Sequence, residues 1–154
     1  MFGKSCLFFL SLSFVIGCAR PKYINESDPA TSGETTEESK IECKTRFLKN
    51  EMCLIWYWEK RPTSQTMGSL IFKIFKLNLL DQTPIEMDPP NTPELILWMP
   101  SMGHGSTPTQ VQRIDTGTYR AGKVYFIMPG EWELKFQIKN GSELIDEAKI
   151  NILF

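Results

Sequence analysis

Apolar residues recur along this chain mostly with a period of two, the spacing of a β-strand whose alternate side chains face opposite ways. The cleanest example runs from Glu131 to Lys139. Trp132, Leu134, Phe136 and Ile138 point one way there, while Glu131, Glu133, Lys135, Gln137 and Lys139 point the other. Ser69–Leu77 alternates too, with Leu70, Phe72, Ile74 and Lys76 on one face and Ile71, Lys73, Phe75 and Leu77 on its reverse. In Leu54–Lys60 the residues Leu54, Trp56 and Trp58 share a face. Further strands are expected at 94–99, 109–114, 118–128 (with Gly122 as a bulge or kink) and 144–153, where Ala148, Ile150 and Ile152 lie on one side.

Turn chemistry separates these runs. Asp115-Thr116-Gly117 and Pro129-Gly130 are turns, and Asn140-Gly141 suits a type I′ hairpin. The stretch 81–93 carries four prolines and reads as a connection rather than an element. About seven short strands without a convincing helix predict an all-β fold, an immunoglobulin-like antiparallel β-sandwich.

The first residues follow a different logic. Lys4 precedes a short apolar run, 7–16, that ends in Val15-Ile16-Gly17-Cys18. The run is shorter than the roughly 20 residues of a transmembrane helix. Its ending resembles the bacterial lipobox, so residues 1–17 read as a lipoprotein signal peptide and Cys18 as the lipidated first residue of the mature chain. A plain secretory signal with a chance cysteine is the competing reading. Lipidation would make the membrane a partner through an anchor rather than a span. Ala19 follows, without the aspartate of inner-membrane retention, which points to the outer membrane facing the periplasm. Residues 18–40 are polar and acidic, with too little apolar surface to fold, and read as a flexible tether. The folded domain is expected over 41–154.

Of the four cysteines, Cys6 falls in the signal and Cys18 carries lipid, leaving Cys43 and Cys53. In an exported, oxidising compartment such a pair forms a disulfide; a redox or metal-binding thiol pair is the less economical alternative. The formal net charge of −1 gives no basic footprint for nucleic acid. With one histidine and no free thiol, no nucleophile–base arrangement is suggested by spacing, so the domain reads as non-enzymatic.

The candidate chemistry lies in Trp98-Met99-Pro100-Ser101-Met102-Gly103-His104-Gly105. Thioethers are soft neutral ligands suited to Cu(I), and imidazole suits copper in either state. Met99, Met102 and His104 could reach one ion if the loop curls, and Met128, before Pro129-Gly130, is a fourth candidate. Turn positions leave Met102 and His104 free to face outward. Two further readings remain open: a purely structural turn with methionines filling the core, and a loop contacting an envelope protein or small ligand.

The Met99–Gly105 segment, the Gly117-Thr118-Tyr119 step and Phe126–Trp132 together resemble the YtkA-like and FixH-like domains of exported bacterial proteins. The resemblance covers about residues 93–140 and leaves out the Cys43/Cys53 segment and the tether. It implies a small immunoglobulin-like sandwich at the cell envelope with a link to copper delivery or tolerance, and Met128 matches the family's later methionine.

Overall fold

The computed structural model describes residues 42–154. The expected signal peptide, Cys18 and the tether lie outside the described residues. All regular elements described are strands: β1 (Thr45–Phe47), β2 (Met52–Lys60), β3 (Gly68–Leu77), β4 (Pro84–Glu86), β5 (Glu94–Met99), β6 (His104–Gly105), β7 (Gln110–Asp115), β8 (Thr118–Val124), β9 (Glu131–Asn140) and β10 (Glu143–Leu153). Every pairing among the described strands is antiparallel, and the strands divide into two sheets, β1-β2-β3-β8-β7 with β4 also on β3, and β10-β9-β5-β6.

The seven long strands are those the alternation predicts. Lettered A to G in chain order, β2, β3, β5, β7, β8, β9 and β10 give A-B-E-D in one sheet and G-F-C in the other. That is the strand order of an immunoglobulin constant-type sandwich. The inner faces meet through aromatic side chains. Phe72 stacks on Tyr119 at 5.3 Å between ring centroids and meets Phe136 of the opposite sheet edge-on at 5.0 Å. Leu70, Ile74, Leu95, Leu97, Leu134 and Ile138 fill the space around them. The outer face of the first sheet carries a polar tie across three strands, in which the Glu59 carboxylate accepts from Ser69 Oγ at 2.5 Å and Arg120 Nε at 2.6 Å.

Three short strands escape the period-two reading. β1, β4 and β6 have only three, three and two residues, too few for a pattern to develop. β4 falls inside the proline-rich stretch 81–93, which is therefore more than a connection: Pro84 opens it, and it lines the end of β3 as Phe75↔Glu86 to Leu77↔Pro84. An edge position tolerates proline because its missing N–H faces away from the ladder.

Two turns also differ from expectation. Glu143 pairs with Asn140, so the β9–β10 loop is Gly141-Ser142, one residue later than Asn140-Gly141. Positive φ falls at Gly141 (60°) alone, the arrangement of a type II′ rather than a type I′ turn. The strand expected over 118–128 stops at Val124. A bulge is present, but its left-handed residue is Lys123 (φ 58°) rather than Gly122. Beyond it the chain leaves the sheet: Tyr125 donates its hydroxyl to the Ser64 carbonyl at 3.0 Å, and its own carbonyl accepts from Ser106 Oγ.

The Cys43–Cys53 disulfide forms, with the two Cα atoms 5.3 Å apart. Cys53 stands directly opposite Phe75 on the outer face, so the bridge covers a ring that lies outside the main core. It also holds the incoming chain at the start of β2. β1 pairs only with Met52–Leu54, and among the described residues the outer edge of β2 from Ile55 to Lys60 has no strand beside it.

The turn between β1 and β2 is tied to the second sheet by Asp146, a buried carboxylate beside the β10 bulge. It accepts from Asn50 N at 2.8 Å, Asn50 Nδ2 at 2.9 Å and Glu147 N at 2.9 Å. Removing one partner of such a group strands buried polar atoms. Asp146→Ala is expected to lower the unfolding free energy by about 2–3 kcal/mol, while Cys43→Ser/Cys53→Ser is expected to cost about 2–3 kcal/mol through the denatured chain. Urea titration followed by tryptophan fluorescence measures both; losses under about 0.5 kcal/mol, the range of ordinary surface substitutions, would show that neither tie holds the β1–β2 corner.

Candidate functional site

The Met/His segment is the tip of a hairpin. β5 carries Trp98 and Met99 to the end of the sheet, residues 100–103 turn, and β6 returns, with Met99 opposite His104 and Trp98 opposite Gly105. The Met99 carbonyl accepts from the amides of Met102 at 3.2 Å and Gly103 at 3.0 Å, and Gly103 takes φ +66°, which closes the turn. The loop is thus a defined backbone turn.

The four candidate ligands sit at different depths. Met99 is 3 % exposed and belongs to the core. Its methyl end lies against Gly130, where an added Cβ would come within 2.5 Å of it. Met102 is 57 % exposed at the turn. His104 is half-buried, and its Nδ1 lies 3.2 Å from the Gly105 carbonyl oxygen. As directly opposed residues, Met99 and His104 project from the same face of the sheet. Met128 is half-buried and packs on the core. It lies in the loop after β8, not at the end of a strand, and its carbonyl accepts from Trp132 Nε1 at 3.1 Å.

Topology brings both loops to the same end of the sandwich. Met99 touches Gly130, two residues beyond Met128, and Gly130 exchanges backbone hydrogen bonds with Phe154 at 2.8 and 3.0 Å. An aromatic cluster floors this end: Phe126 packs on Trp132 at 5.2 Å, Phe154 at 4.6 Å and Trp58 at 6.4 Å. Beside it a groove of about 700 Å³ runs between β2 and β10, lined by Trp56, Trp58, Arg61, Ile152 and Phe154. Near the hairpin, the Lys135 ammonium lies 4.8 Å from the Trp98 ring centre, and Lys135 pairs with Glu133 at 3.2 Å. Two of the three thioethers, Met99 and Met128, are therefore committed to packing, while Met102 is exposed and His104 half-buried. Among the described residues no group of three or more His, Cys, Asp or Glu side chains is placed to hold a metal.

The strongest electrostatic cluster lies elsewhere, and the sequence offered only the proline-rich context of Asp88 as a hint of it. Asp88, in the segment joining β4 to β5, receives Arg113 Nε at 3.0 Å, Tyr119 Oη at 2.7 Å and Gly117 N at 3.0 Å. The Arg113 hydrogen bond, then the Tyr119 hydroxyl and the Gly117 amide, hold this carboxyl well below the ordinary carboxylate range. Burial of the Tyr119 ring, reinforced by the hydrogen bond to Asp88, pushes the phenol upward. Gly117 needs its left-handed φ of +63°, and a Cβ there would lie within 2.4 Å of the Ile74 carbonyl oxygen. The cluster pins the β7–β8 turn to the segment crossing between the sheets and has the character of a structural clasp.

Compared with protein families, curated proteins and solved structures, the chain gives no match.

The clasp has a pH signature. A carboxyl whose folded pKa is depressed contributes stability that is full above its unfolded value, near 4, and is lost as pH falls from there toward the folded value. Asp88→Asn is expected to be less stable than the parent at pH 7, with the difference shrinking below about pH 4. Thermal unfolding of both proteins from pH 7 to pH 2.5 checks this; parallel curves across that range would remove Asp88 from the acid response.

Proposed function

We propose that the chain is an exported, lipid-anchored β-sandwich that acts by binding rather than catalysis, with the Met102/His104 end as its contact surface. The observation that carries the reading is the Cys43–Cys53 disulfide at the entrance to the domain. Such bonds persist in oxidising compartments, the destination a signal ending at Cys18 would give. The A-B-E-D and G-F-C strand order agrees with the sandwich implied by the resemblance to YtkA-like and FixH-like domains.

Cu(I) is the ligand the end favours chemically. Met102 supplies an exposed thioether and His104 a half-buried imidazole two residues on, while Met128, packed on the core in the neighbouring loop, would have to turn outward to add a third soft donor. Met99 serves this site as the packed base of the hairpin. A metal-free module docking on an envelope protein through the same end is the second reading, favoured by the burial of Met99 and the packing of Met128 on the core.

Radiolabelled palmitate fed to an expressing bacterium is expected to label the protein and to miss the Cys18→Ser variant; equal labelling of both would refute the anchor. Anaerobic Cu(I) titration against a competing chelator separates the two ligand readings. Met102→Ala and His104→Ala are each expected to weaken copper retention at least about tenfold, or 1.4 kcal/mol. Retention no stronger than that of the Met102→Ala/His104→Ala protein would leave the metal-free module standing.

A further inference from the structure

The opposite end of the sandwich displays leucines that the core does not use. Leu79 and Leu80 are 91 % and 94 % exposed, and Leu48 is 75 % exposed. Leu144, beside the β9–β10 turn, is 43 % exposed. Single exposed apolar residues are ordinary, whereas several gathered at one end of a domain mark a contact surface. Two observations bring these loops together. Asn50, in the same turn as Leu48, bonds Asp146 beside Leu144. Leu79 lines a shallow cleft with Arg46, Glu51, Lys76 and Gln82.

The Leu79-Leu80 tip is held by backbone hydrogen bonds and by the Asn78 and Asp81 side chains, not by burial of its leucines. Asn78 N donates to the Thr83 carbonyl at 2.8 Å, Gln82 N to the Asn78 carbonyl at 2.9 Å, and Leu80 N to Asn78 Oδ1 at 2.9 Å. Thr83 N closes the far side on Asp81 Oδ1 at 3.0 Å. The leucines take no part in holding this turn and stand in solvent.

We infer that this leucine end docks on the bilayer surface that holds the lipid anchor, an inference that rests on the anchor at Cys18. The disulfide names the occupant. It fixes Cys43, the point where residues 18–42 join the domain, to Cys53 at the start of β2, and so to the end that carries Leu48 and Leu79. A chain of that length has a root-mean-square reach of roughly 25–30 Å when flexible, which keeps this end within touch of the surface at high effective concentration. Leucine side chains enter the boundary between headgroups and acyl chains, and cations beside them meet anionic headgroups. Arg46, Lys49 and Lys76 stand at this end without ion-pair partners among the described residues, and so do Glu51, Asp81, Asp115 and Glu143, so the leucines rather than a charge surplus carry the contact. Docking in this sense turns the Met102/His104 end away from the membrane.

The test uses the lipidated protein in vesicles of phosphatidylethanolamine and phosphatidylglycerol at three to one. Leu80→Cys carries an environment-sensitive fluorophore, and Met102→Cys carries the same probe at the opposite end. The expected result is a blue-shifted emission at position 80 that is quenched by spin-labelled lipid, with position 102 reporting water. Adding Leu79→Ser to the position-80 protein should reduce both the shift and the quenching. Flotation with the vesicles monitors the anchor separately. Protein that floats while position 80 reports water, or while position 102 is the quenched site, overturns the docking; protein that does not float removes the anchor on which it rests.

Discussion

Phe72 bears on both sheets at once, and the rest of the domain is arranged around that contact. Its ring stacks on Tyr119 within one sheet and meets Phe136 edge-on across the interior. Such aromatic pairs contribute about 0.5–1.5 kcal/mol each beyond their buried area. The constraint matters more than the energy. Fixing the sheets at this seam sets which residues of β3, β8 and β9 face inward, and a slip by one residue would turn every inward side chain outward. The position of Tyr119 then decides where its hydroxyl emerges, and hence where Asp88 and Arg113 can gather. At the other extreme of the core, Phe126, Trp132 and Phe154 close the end on which the Met/His hairpin rests.

The long strands were legible because a wet face alternates with a dry one along them. β9 is the plainest case: Trp132, Leu134, Phe136 and Ile138 are all buried, as their spacing predicts. β1, β4 and β6 were not legible, since two or three residues cannot display a period. The end of β8 was misplaced for a related reason. Tyr125, Phe126, Ile127 and Met128 are apolar without being strand, because Phe126 is needed in the aromatic floor while the backbone turns away from β3. The candidate site was legible as a loop and as a set of residue types. Depth was not: nothing in Met99-Pro100-Ser101-Met102 tells that the first methionine is enclosed and the second exposed. That difference arises from the pairing of Met99 with His104 and from the space left by Gly130, which belong to tertiary structure.

Asp88 shows a different limit. An acidic residue in a proline-rich segment reads as solvated surface. Its importance comes from donors that lie 25 to 31 residues away along the chain. Polar ties across 25 to 31 residues leave no local pattern, whereas the disulfide, between cysteines ten residues apart, was legible once the chain was read as exported, since paired cysteines then have few other uses.

Among the described residues the outer edge of β2 from Ile55 to Lys60 has no strand beside it, which bears on how copies of this protein could meet. An open strand edge is a template on which another chain can build a sheet. Here the exposed edge ends in Glu59-Lys60-Arg61-Pro62. Two such edges brought together antiparallel would set charged, strongly hydrated side chains into the new seam, and Pro62 cannot extend the hydrogen-bonded ladder. The same four residues that end the strand thus disfavour edge-to-edge pairing between copies.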